Sequence, residues 1–342
     1  MGHSVRIVTC AINGENPDYP VKEMIIPFFK KIIAKEGFHM AVPSNKVLTK
    51  ALDWADIAMI ETPFPLSFRA AKIAKKMGKP VTGTFHIFPG NITEPLHINN
   101  RFWNSFFLCF FKNISFKNCD AIQCPTIKVK KYVEEHHFKQ KLFVISNGIT
   151  ENFIVNPHKE EVGDPFTIIC IGRFSKEKHQ ETLFKSLELS KHSKKFKVIF
   201  AGKGPLKKKY EELANHLENK PILRFFSPDQ LRKGLTRADL VVHCADVEVE
   251  GMAPIEAFAA AAVPVITDSV LSSTVAYALG EHNRYPFSDA KALADRLDYW
   301  YEHPDELKKW RSKYRHYTKS LSVKYSAKKT IKMLQDCIAN KK

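Results

Sequence analysis

Two glutamates, Glu248 and Glu256, stand eight positions apart, with Pro254 between them. Proline suits the first turn of a helix, where its missing N–H costs no hydrogen bond. The sequence therefore predicts a helix over residues 255–262, with Glu256 in its first turn. Glu248 then lies before the helix, after a predicted strand at residues 240–244.

This arrangement indicates binding of hydroxyl groups. Backbone N–H groups at a helix start bind anions such as a diphosphate. Because carboxylates repel such an anion, Glu248 and Glu256 are expected to bind neutral hydroxyls, as on a sugar or a ribose. A solvated acidic loop before a core helix is the alternative interpretation.

Arg173 and Lys178 are two cations that follow a predicted strand at residues 167–171, with Gly172 at the turn. Open α/β folds bind ligands at the carboxyl ends of their strands, so both side chains are expected to reach a ligand there. They would neutralise charge that develops on a leaving diphosphate. The alternative is a solvated helix start, where cations would oppose the helix dipole.

Two further features lie at the ends of predicted strands. Gly202, Gly204 and Pro205 form a turn after the strand at residues 197–200, and glycine there lets the backbone approach a ligand closely. His86 ends the strand at residues 81–85 and is expected either to contact a ligand or to be structural.

The bulk composition is that of a globular protein with an anionic partner. The 342 residues predict two domains. No apolar run approaches the roughly 18 residues of a spanning helix, and no signal peptide is visible. Seven scattered cysteines favour reduced thiols in a cytoplasmic protein. The net charge of +17, without a nucleic-acid-binding motif, favours a membrane surface or an anionic substrate over nucleic acid.

Strands alternate with helices along both halves of the sequence, which is typical of parallel sheets covered on both faces. The pattern loosens within residues 152–165, which indicates a linker. We therefore expect domains at residues 1–152 and 153–320, followed by a helical segment at residues 321–342.

The motifs together resemble the donor site of retaining glycosyltransferases of family 4, over residues 2–307. The resemblance implies the GT-B fold, an α/β architecture in which two Rossmann-like domains face each other across a cleft. It also implies that the final helix returns to the N-terminal domain. In this family the first glutamate, here Glu248, binds the transferred sugar, and the second, here Glu256, binds the ribose.

The resemblance implies roles for the other motifs. Arg173 and Lys178, after Gly172, match the cations that bind the donor diphosphate. His86 matches a histidine that contacts the transferred sugar. The other donor-binding positions that it implies are Gly202, Gly204, Pro205, Gly251, Met252 and Ala253.

The implied activity is transfer of a hexose, glucose or galactose, from a nucleotide sugar to an acceptor hydroxyl. A UDP-linked donor is the family default. No side-chain nucleophile is required if the leaving phosphate itself takes the acceptor proton on the same face. The expected acceptor is a diacylglycerol-type lipid or a cell-envelope glycan. No cofactor and no metal are expected, because no Asp-x-Asp motif or His/Cys cluster stands near the site.

The sequence departs from the family pattern at three places. His179 stands where the family usually has glycine, and residues 259–262 are alanines where a glycine normally ends the helix. The glycine-rich loop of the N-terminal domain is absent. We expect that the first strand, loop and helix of that domain are missing, unless residues 5–9 are themselves the first strand. The rival function is a truncated, non-catalytic GT-B protein that acts as a basic membrane- or partner-binding module.

Two segments combine apolar residues with cations, as helices at a membrane surface do. One is residues 102–111, flanked by Arg101, Lys112 and Lys117, for which a core helix is the alternative; the other is residues 24–35. The expected locations of the protein are the cytoplasm and, by peripheral binding, the inner face of the cell membrane. Asn91 and Glu94 are candidates to face the acceptor.

Overall fold

The computed structural model describes residues 2–12, 14, 16–26, 39–94, 96, 98–154 and 161–341. Most of the candidate membrane segment at residues 24–35 therefore lies outside the described residues. The chain forms two compact units. The first unit comprises residues 1–145 and 329–342, and the second comprises residues 146–328. Each unit contains its own parallel sheet.

The strands of the first unit are β1 (Val8–Cys10), β2 (Tyr19–Val21), β3 (Ala58–Ile60), β4 (Val81–Thr84), β5 (Ala121–Cys124) and β6 (Lys141–Val144). Its described helices before residue 145 are α1 (Asn45–Trp54), α2 (Pro65–Lys76), α3 (Pro89–Thr93), α4 (Arg101–Phe110) and α5 (Ile127–Glu135). Strands β3 to β6 form a parallel sheet in chain order, whereas β1 pairs with β2 in a separate sheet. The strand expected at residues 5–9 thus begins three residues later.

Aromatic packing fixes the carboxyl end of β4. Phe85 follows the strand, is buried, and lies 5.9 Å from the ring centroid of Phe116 and 5.8 Å from that of Phe88. Edge-to-face and offset contacts at this separation stabilise such a cluster. Because Phe85 is fixed in the core, His86 lies at the carboxyl edge of the sheet, where it is partly exposed.

The strands of the second unit are β7 (Phe166–Ile171), β8 (Phe196–Ala201), β9 (Ile222–Arg224), β10 (Leu240–His243), β11 (Val263–Asp268) and β12 (Arg284–Pro286). Its helices are α6 (Glu181–Leu189), α7 (Lys207–His216), α8 (Pro228–Leu235), α9 (Met252–Ala259), α10 (Ala290–Glu302) and α11 (Pro304–Thr318). The last helix, α12 (Val323–Ala339), begins in the second unit and ends in residues counted with the first. The sheet is entirely parallel, in the order β12-β11-β10-β7-β8-β9.

A buried ion pair fastens the amino end of this sheet. Asp239, just before β10, accepts hydrogen bonds from the backbone N–H groups of Thr167 at 2.7 Å and Gly163 at 2.9 Å. Arg311 of α11 lies 2.6 Å from the same carboxylate, and both side chains are buried. Removal of one partner from such a pair typically costs about 3–5 kcal/mol. The pair therefore joins two strands and a covering helix at one point.

The helix predicted at residues 255–262 begins and ends three residues earlier, as α9. Gly251 precedes it with a φ of 70°, a left-handed conformation that favours glycine. Pro254 is the third helical residue and lies in the first turn, as predicted. Glu256 is the fifth, so its predicted place in the first turn is wrong, because the left-handed glycine rather than the proline sets the helix start.

Two turns in which the family pattern has glycine have another residue in this chain, and both keep a left-handed backbone. Ala261 has a φ of 65° and His179 a φ of 45°. After α9, Ala262 donates its N–H to the Ala257 carbonyl at 3.0 Å, which is the bonding pattern of a glycine-ended helix. The turn shapes are thus retained without glycine, at a cost of roughly 1–2 kcal/mol for each left-handed residue.

Candidate functional site

The candidate donor-binding residues follow three neighbouring strands of the second unit. Strand β7 lies between β10 and β8, and all three run parallel. The turn at Gly172 follows β7, the turn at Gly202 follows β8, and the loop to Glu248 follows β10. These two turns and the loop therefore lie side by side at the carboxyl edge of the sheet.

The turns after β7 and β8 pack backbone against backbone. A Cβ atom on Gly202 would lie 1.9 Å from the Gly172 carbonyl oxygen, and one on Gly204 would lie 2.5 Å from the Phe174 carbonyl oxygen. Phe174 donates its N–H to Lys203 at 3.0 Å across the same contact. In the structure these glycines admit the neighbouring turn, and their contact with a ligand stays a prediction. The contact fixes the start of the segment that contains Arg173 and Lys178.

Lys178 and Glu248 form an ion pair through Lys178 Nζ and Glu248 Oε2. Their positions are 70 residues apart in the sequence, and each side chain is 22% exposed. The cation assigned to the diphosphate and the carboxylate assigned to the sugar are therefore in direct contact. Any ligand that binds Lys178 must share or replace the Glu248 carboxylate.

Arg173 also has a carboxylate partner. Its Nη2 atom lies 3.0 Å from Glu177 Oε1, and Ser175 Oγ donates to the same oxygen at 2.5 Å. Burial alone would raise the pKa of Glu177. Hydrogen bonds from Ser175, from its own backbone and from Arg173 outweigh the burial and lower that pKa below its ordinary value. Glu177 is therefore ionised at neutral pH and holds the guanidinium.

The loop between β10 and α9 is anchored by Glu250, a buried residue of the loop itself. This carboxylate is 4% exposed and accepts hydrogen bonds from Ser146 Oγ at 2.5 Å, the Asn147 N–H at 3.0 Å and Tyr277 Oη at 2.9 Å. A buried carboxylate with three donors is well satisfied. Its neighbour Glu248 is thereby held at a defined position in the loop.

The start of α9 offers backbone donors beside Glu248. Gly251 caps the helix without a side-chain hydrogen bond, so the N–H groups of Met252 and Ala253 have no capping side chain from the described part of the chain. A Cβ atom on Gly251 would lie 2.3 Å from Thr274 Cγ2, so only glycine fits. The helix start can therefore donate to a phosphate or sugar oxygen.

Glu256 points its carboxyl group into a partly buried environment. The carboxyl group has no hydrogen-bond or ion-pair partner among residues 2–12, 14, 16–26, 39–94, 96, 98–154 and 161–341. Burial raises the pKa of this carboxyl to about 7. A ribose hydroxyl would supply the missing hydrogen bonds.

His243, the last residue of β10, is a buried side chain beside Glu248. It is 4% exposed, and its Nε2 atom makes no hydrogen bond within the described part of the chain. Nε2 lies 4.0 Å from Glu248 Oε2, beyond hydrogen-bond range. Burial lowers the pKa of His243 to about 4, so the ring is neutral at pH 7.

His86 lies in the first unit, where its Nε2 atom is 3.0 Å from Glu61 Oε2. Glu61 follows β3 directly, so the pair occupies the carboxyl edge of that sheet. Asn91 accepts a hydrogen bond from the Phe88 N–H at 2.8 Å, and Glu94 accepts one from Asn99 at 2.6 Å. Both acceptor-side candidates are thus engaged in local hydrogen bonds.

Helix α4 is an exposed aromatic helix. None of its residues is buried, and Phe102 and Phe106 are 70% and 51% exposed. Arg101 begins the helix, and Lys112 and Lys117 follow it. The segment at residues 102–111 is therefore exposed on one face only, because Phe111, which ends it, is 1% exposed and belongs to the core.

The sequence interpretation missed Glu177 and His243. Glu177 stands between two lysines, which hides it as part of a solvated charged run. His243 is the one polar side chain in the run Leu240-Val-Val-His-Cys244, and a polar residue in an apolar strand was the available signal.

Metal-binding clusters and membrane-spanning helices are both absent from the described ranges. No group of three or more His, Cys, Asp or Glu side chains there is arranged to hold a metal ion. None of the helices there is both long and apolar enough to cross a membrane.

The chain matches two family models, one for each part. Residues 1–153 match glycosyltransferase family 4, and residues 154–317 match glycosyl transferases group 1. No curated protein sequence matches the chain.

Solved structures with a similar chain include HepE of Anabaena in complex with UDP, with a TM-score of 0.71 at 15% identity over 90% of this chain and 89% of that one. A glycosyltransferase of Rickettsia africae has a TM-score of 0.65 at 18% identity over 91% and 88%. The catalytic domain of the cholesterol-α-glucosyltransferase of Helicobacter pylori is 35% identical over 45% of this chain and 98% of that one, with a TM-score of 0.42.

We predict that Gly202→Ala destabilises the second unit by about 1–3 kcal/mol or more, because the new Cβ overlaps the Gly172 carbonyl. Chemical denaturation measures the change in the free energy of unfolding. Gly234→Ala is the matched control, since a Cβ there meets no atom closer than 3.7 Å within a helix. Equal stability of the two variants would contradict the proposed contact.

We predict that Glu256→Gln becomes increasingly stabilising, relative to the unchanged chain, between pH 5 and pH 8. The unfolded glutamate loses its proton near pH 4.5 and the folded one near pH 7, so the folded state binds more protons and loses stability as pH rises through this window. Glutamine removes this cost, and each kcal/mol relieved raises Tm by about 2–4 °C. Glu188→Gln, at an exposed position in α6, is the control, and a parallel pH trend in both variants would refute the burial argument.

Proposed function

The chain belongs to the GT-B glycosyltransferases of family 4, and we propose that it transfers a hexose, with retention of configuration, from a UDP-sugar to a membrane lipid. Glucose and galactose are the proposed sugars, and a diacylglycerol-type lipid is the first proposed acceptor. A cell-envelope glycan is the second. The proposed place of action is the cytoplasmic face of the cell membrane.

The observation that carries the donor assignment is the contact between Lys178 and Glu248. A diphosphate ligand and a sugar ligand require a cation and a carboxylate close together, because the sugar is joined to the terminal phosphate. The start of α9 adds backbone donors next to Glu248. Glu256 provides a carboxyl group with unmet hydrogen-bonding capacity, which suits ribose hydroxyls.

In the proposed reaction, Arg173 and Lys178 stabilise negative charge on the leaving diphosphate as the glycosidic bond breaks. Glu248 orients the sugar by accepting hydrogen bonds from its hydroxyls. The acceptor oxygen attacks the face that the diphosphate leaves, and the leaving phosphate oxygen takes the acceptor proton. The new glycosidic bond then has the configuration of the donor.

Donor binding is proposed to exchange ion-pair partners. In the ligand-free site each cation is paired, Lys178 with Glu248 and Arg173 with Glu177. A diphosphate carries more charge than one carboxylate and therefore competes for Lys178. The exchange frees Glu248 to bind the sugar, so the two ends of the donor are recognised together.

The proposed lipid acceptor is supported by helix α4. Its exposed phenylalanines, Phe102 and Phe106, stand beside Arg101, and two lysines follow the helix. Apolar side chains rimmed by cations complement a bilayer surface with anionic headgroups. We therefore propose that α4 binds the surface that contains the acceptor.

Assays with UDP-glucose and UDP-galactose test the activity, with diacylglycerol in phosphatidylglycerol vesicles as acceptor. UDP-glucose is tried first, since HepE, which shares the fold, is known in complex with it. Glu248→Gln is expected to lower kcat by roughly 100-fold or more, because it removes charge beside the reacting sugar. NMR of the glycolipid product is expected to report the donor's anomeric configuration.

The matched control is Glu218→Gln, an exposed glutamate of the same unit that pairs with Lys194 at 3.0 Å. It is expected to leave kcat unchanged. Absence of turnover with any nucleotide sugar, combined with retained vesicle binding, would favour the rival function of a non-catalytic membrane-binding module.

We predict that Phe102→Ser with Phe106→Ser lowers binding to phosphatidylglycerol vesicles by about tenfold or more, since each buried phenylalanine contributes roughly 1.5–3 kcal/mol. Vesicle flotation measures the bound fraction. Phe225→Ser is the control, at a phenylalanine of the second unit that is 57% exposed. Equal losses in both proteins would argue against α4 as the membrane contact.

A further inference from the structure

His243 has an unmade hydrogen bond that the ligand-free site does not explain. The side chain is 4% exposed at the end of β10, and its Nε2 atom has no partner in the described ranges. Buried polar nitrogens in folded proteins are nearly always hydrogen-bonded, and leaving one without a partner costs free energy. We therefore expect Nε2 to gain a hydrogen-bond partner when a ligand binds or when a neighbouring side chain moves.

The nearest carboxylate oxygen to this nitrogen is already occupied. Glu248 Oε2 lies 4.0 Å from His243 Nε2, and the same oxygen contacts Lys178 Nζ. A displacement of about 1 Å would bring Oε2 within hydrogen-bond distance of Nε2. While Lys178 holds this oxygen, the histidine cannot.

Gly251 packs against the stem of Glu248 on the same side. A Cβ atom there would lie 3.0 Å from Glu248 Cγ and 3.6 Å from His243 Nε2. An alanine would therefore crowd both groups, and glycine leaves the glutamate stem room to shift toward the histidine. The neutral ring, whose pKa burial lowers to about 4, retains one N–H to donate.

We propose that His243 is a positioning residue, which donates a hydrogen bond from Nε2 to the Glu248 carboxylate once the donor diphosphate has taken Lys178. This inference rests on the proposed function of the same site. Glu248 then has two alternative partners, Lys178 without donor and His243 with it. The histidine keeps the carboxylate aimed at the sugar hydroxyls after the lysine leaves.

The test compares His243→Leu with His243→Gln, because a glutamine amide nitrogen can occupy the place of Nε2 and leucine has no donor. His243→Leu is expected to lower kcat/KM for UDP-glucose by about 10- to 100-fold, the value of one hydrogen bond to a charged group. His243→Gln is expected to restore most of this loss. For UMP, which lacks the diphosphate and so leaves Lys178 with Glu248, calorimetry should give a Kd that changes by less than about twofold.

A merely structural role predicts different numbers. It would weaken binding of UMP and of UDP-glucose equally, and glutamine would not rescue. In the Glu248→Gln background, His243→Leu is expected to have little further effect, because the pair acts as a unit. Full additivity of the two substitutions would overturn the inference.

Two further comparisons keep the test decisive. His192→Leu removes a histidine that contacts Glu302 at 2.8 Å and precedes the amino end of β8, so it controls for loss of a histidine elsewhere. If His243→Leu does not fold, His243→Asn replaces it, because asparagine is too short to reach the place of Nε2. Equal activity of the asparagine and glutamine variants would overturn the inference.

Different results would contradict the role of His243 and the proposed function. If the unchanged chain turns over UDP-glucose while the leucine, asparagine and glutamine variants match it, the role of His243 is wrong and the proposed function stands. If the unchanged chain neither binds UDP nor turns over any nucleotide sugar, the proposed function fails and the inference fails with it.

Discussion

The contact between two backbone turns, Gly172 after β7 and Gly202 after β8, is the constraint on which the candidate site depends. The close approach of the Gly172 carbonyl to the Cβ position of Gly202 admits no side chain there. It fixes the direction in which the chain leaves β7, and with it the origin of Arg173 and Lys178. Because β10 is the other neighbour of β7, Glu248 arrives at the same place from the opposite side.

This arrangement places opposite charges in contact before any ligand is present. Lys178 pairs with Glu248 and Arg173 with Glu177, so these four groups carry no net charge. Paired groups keep defined positions, whereas four unpaired charges would each require full hydration. A ligand that binds one of the cations must therefore displace its carboxylate. Selectivity for the ligand then depends on which new partner the displaced carboxylate binds.

Much of the fold follows from the sequence, and less of the site does. The strands predicted at residues 81–85, 167–171, 197–200 and 240–244 match β4, β7, β8 and β10 to within one residue at each end, because short apolar runs bounded by turns are local signals. The start of α9 was misplaced because the conformation of Gly251 depends on packing against Thr274. The contact between Lys178 and Glu248 joins residues far apart in sequence, and no local pattern encodes it. A glycine pattern likewise does not distinguish a ligand atom from a neighbouring carbonyl, so the contact between Gly202 and the Gly172 carbonyl could not be predicted from the sequence.

The net charge of +17, from 53 basic and 36 acidic residues, has to be explained outside the donor site. At the donor site the described cations are already matched by Glu177 and Glu248, so the diphosphate does not account for the excess. An excess of positive charge repels itself and destabilises the compact state unless a partner of opposite sign compensates it. We therefore propose a partner that is larger than one nucleotide sugar. An anionic bilayer surface would meet that requirement, and the exposed aromatic side chains of α4 would give it an apolar contact that a soluble polyanion would not use.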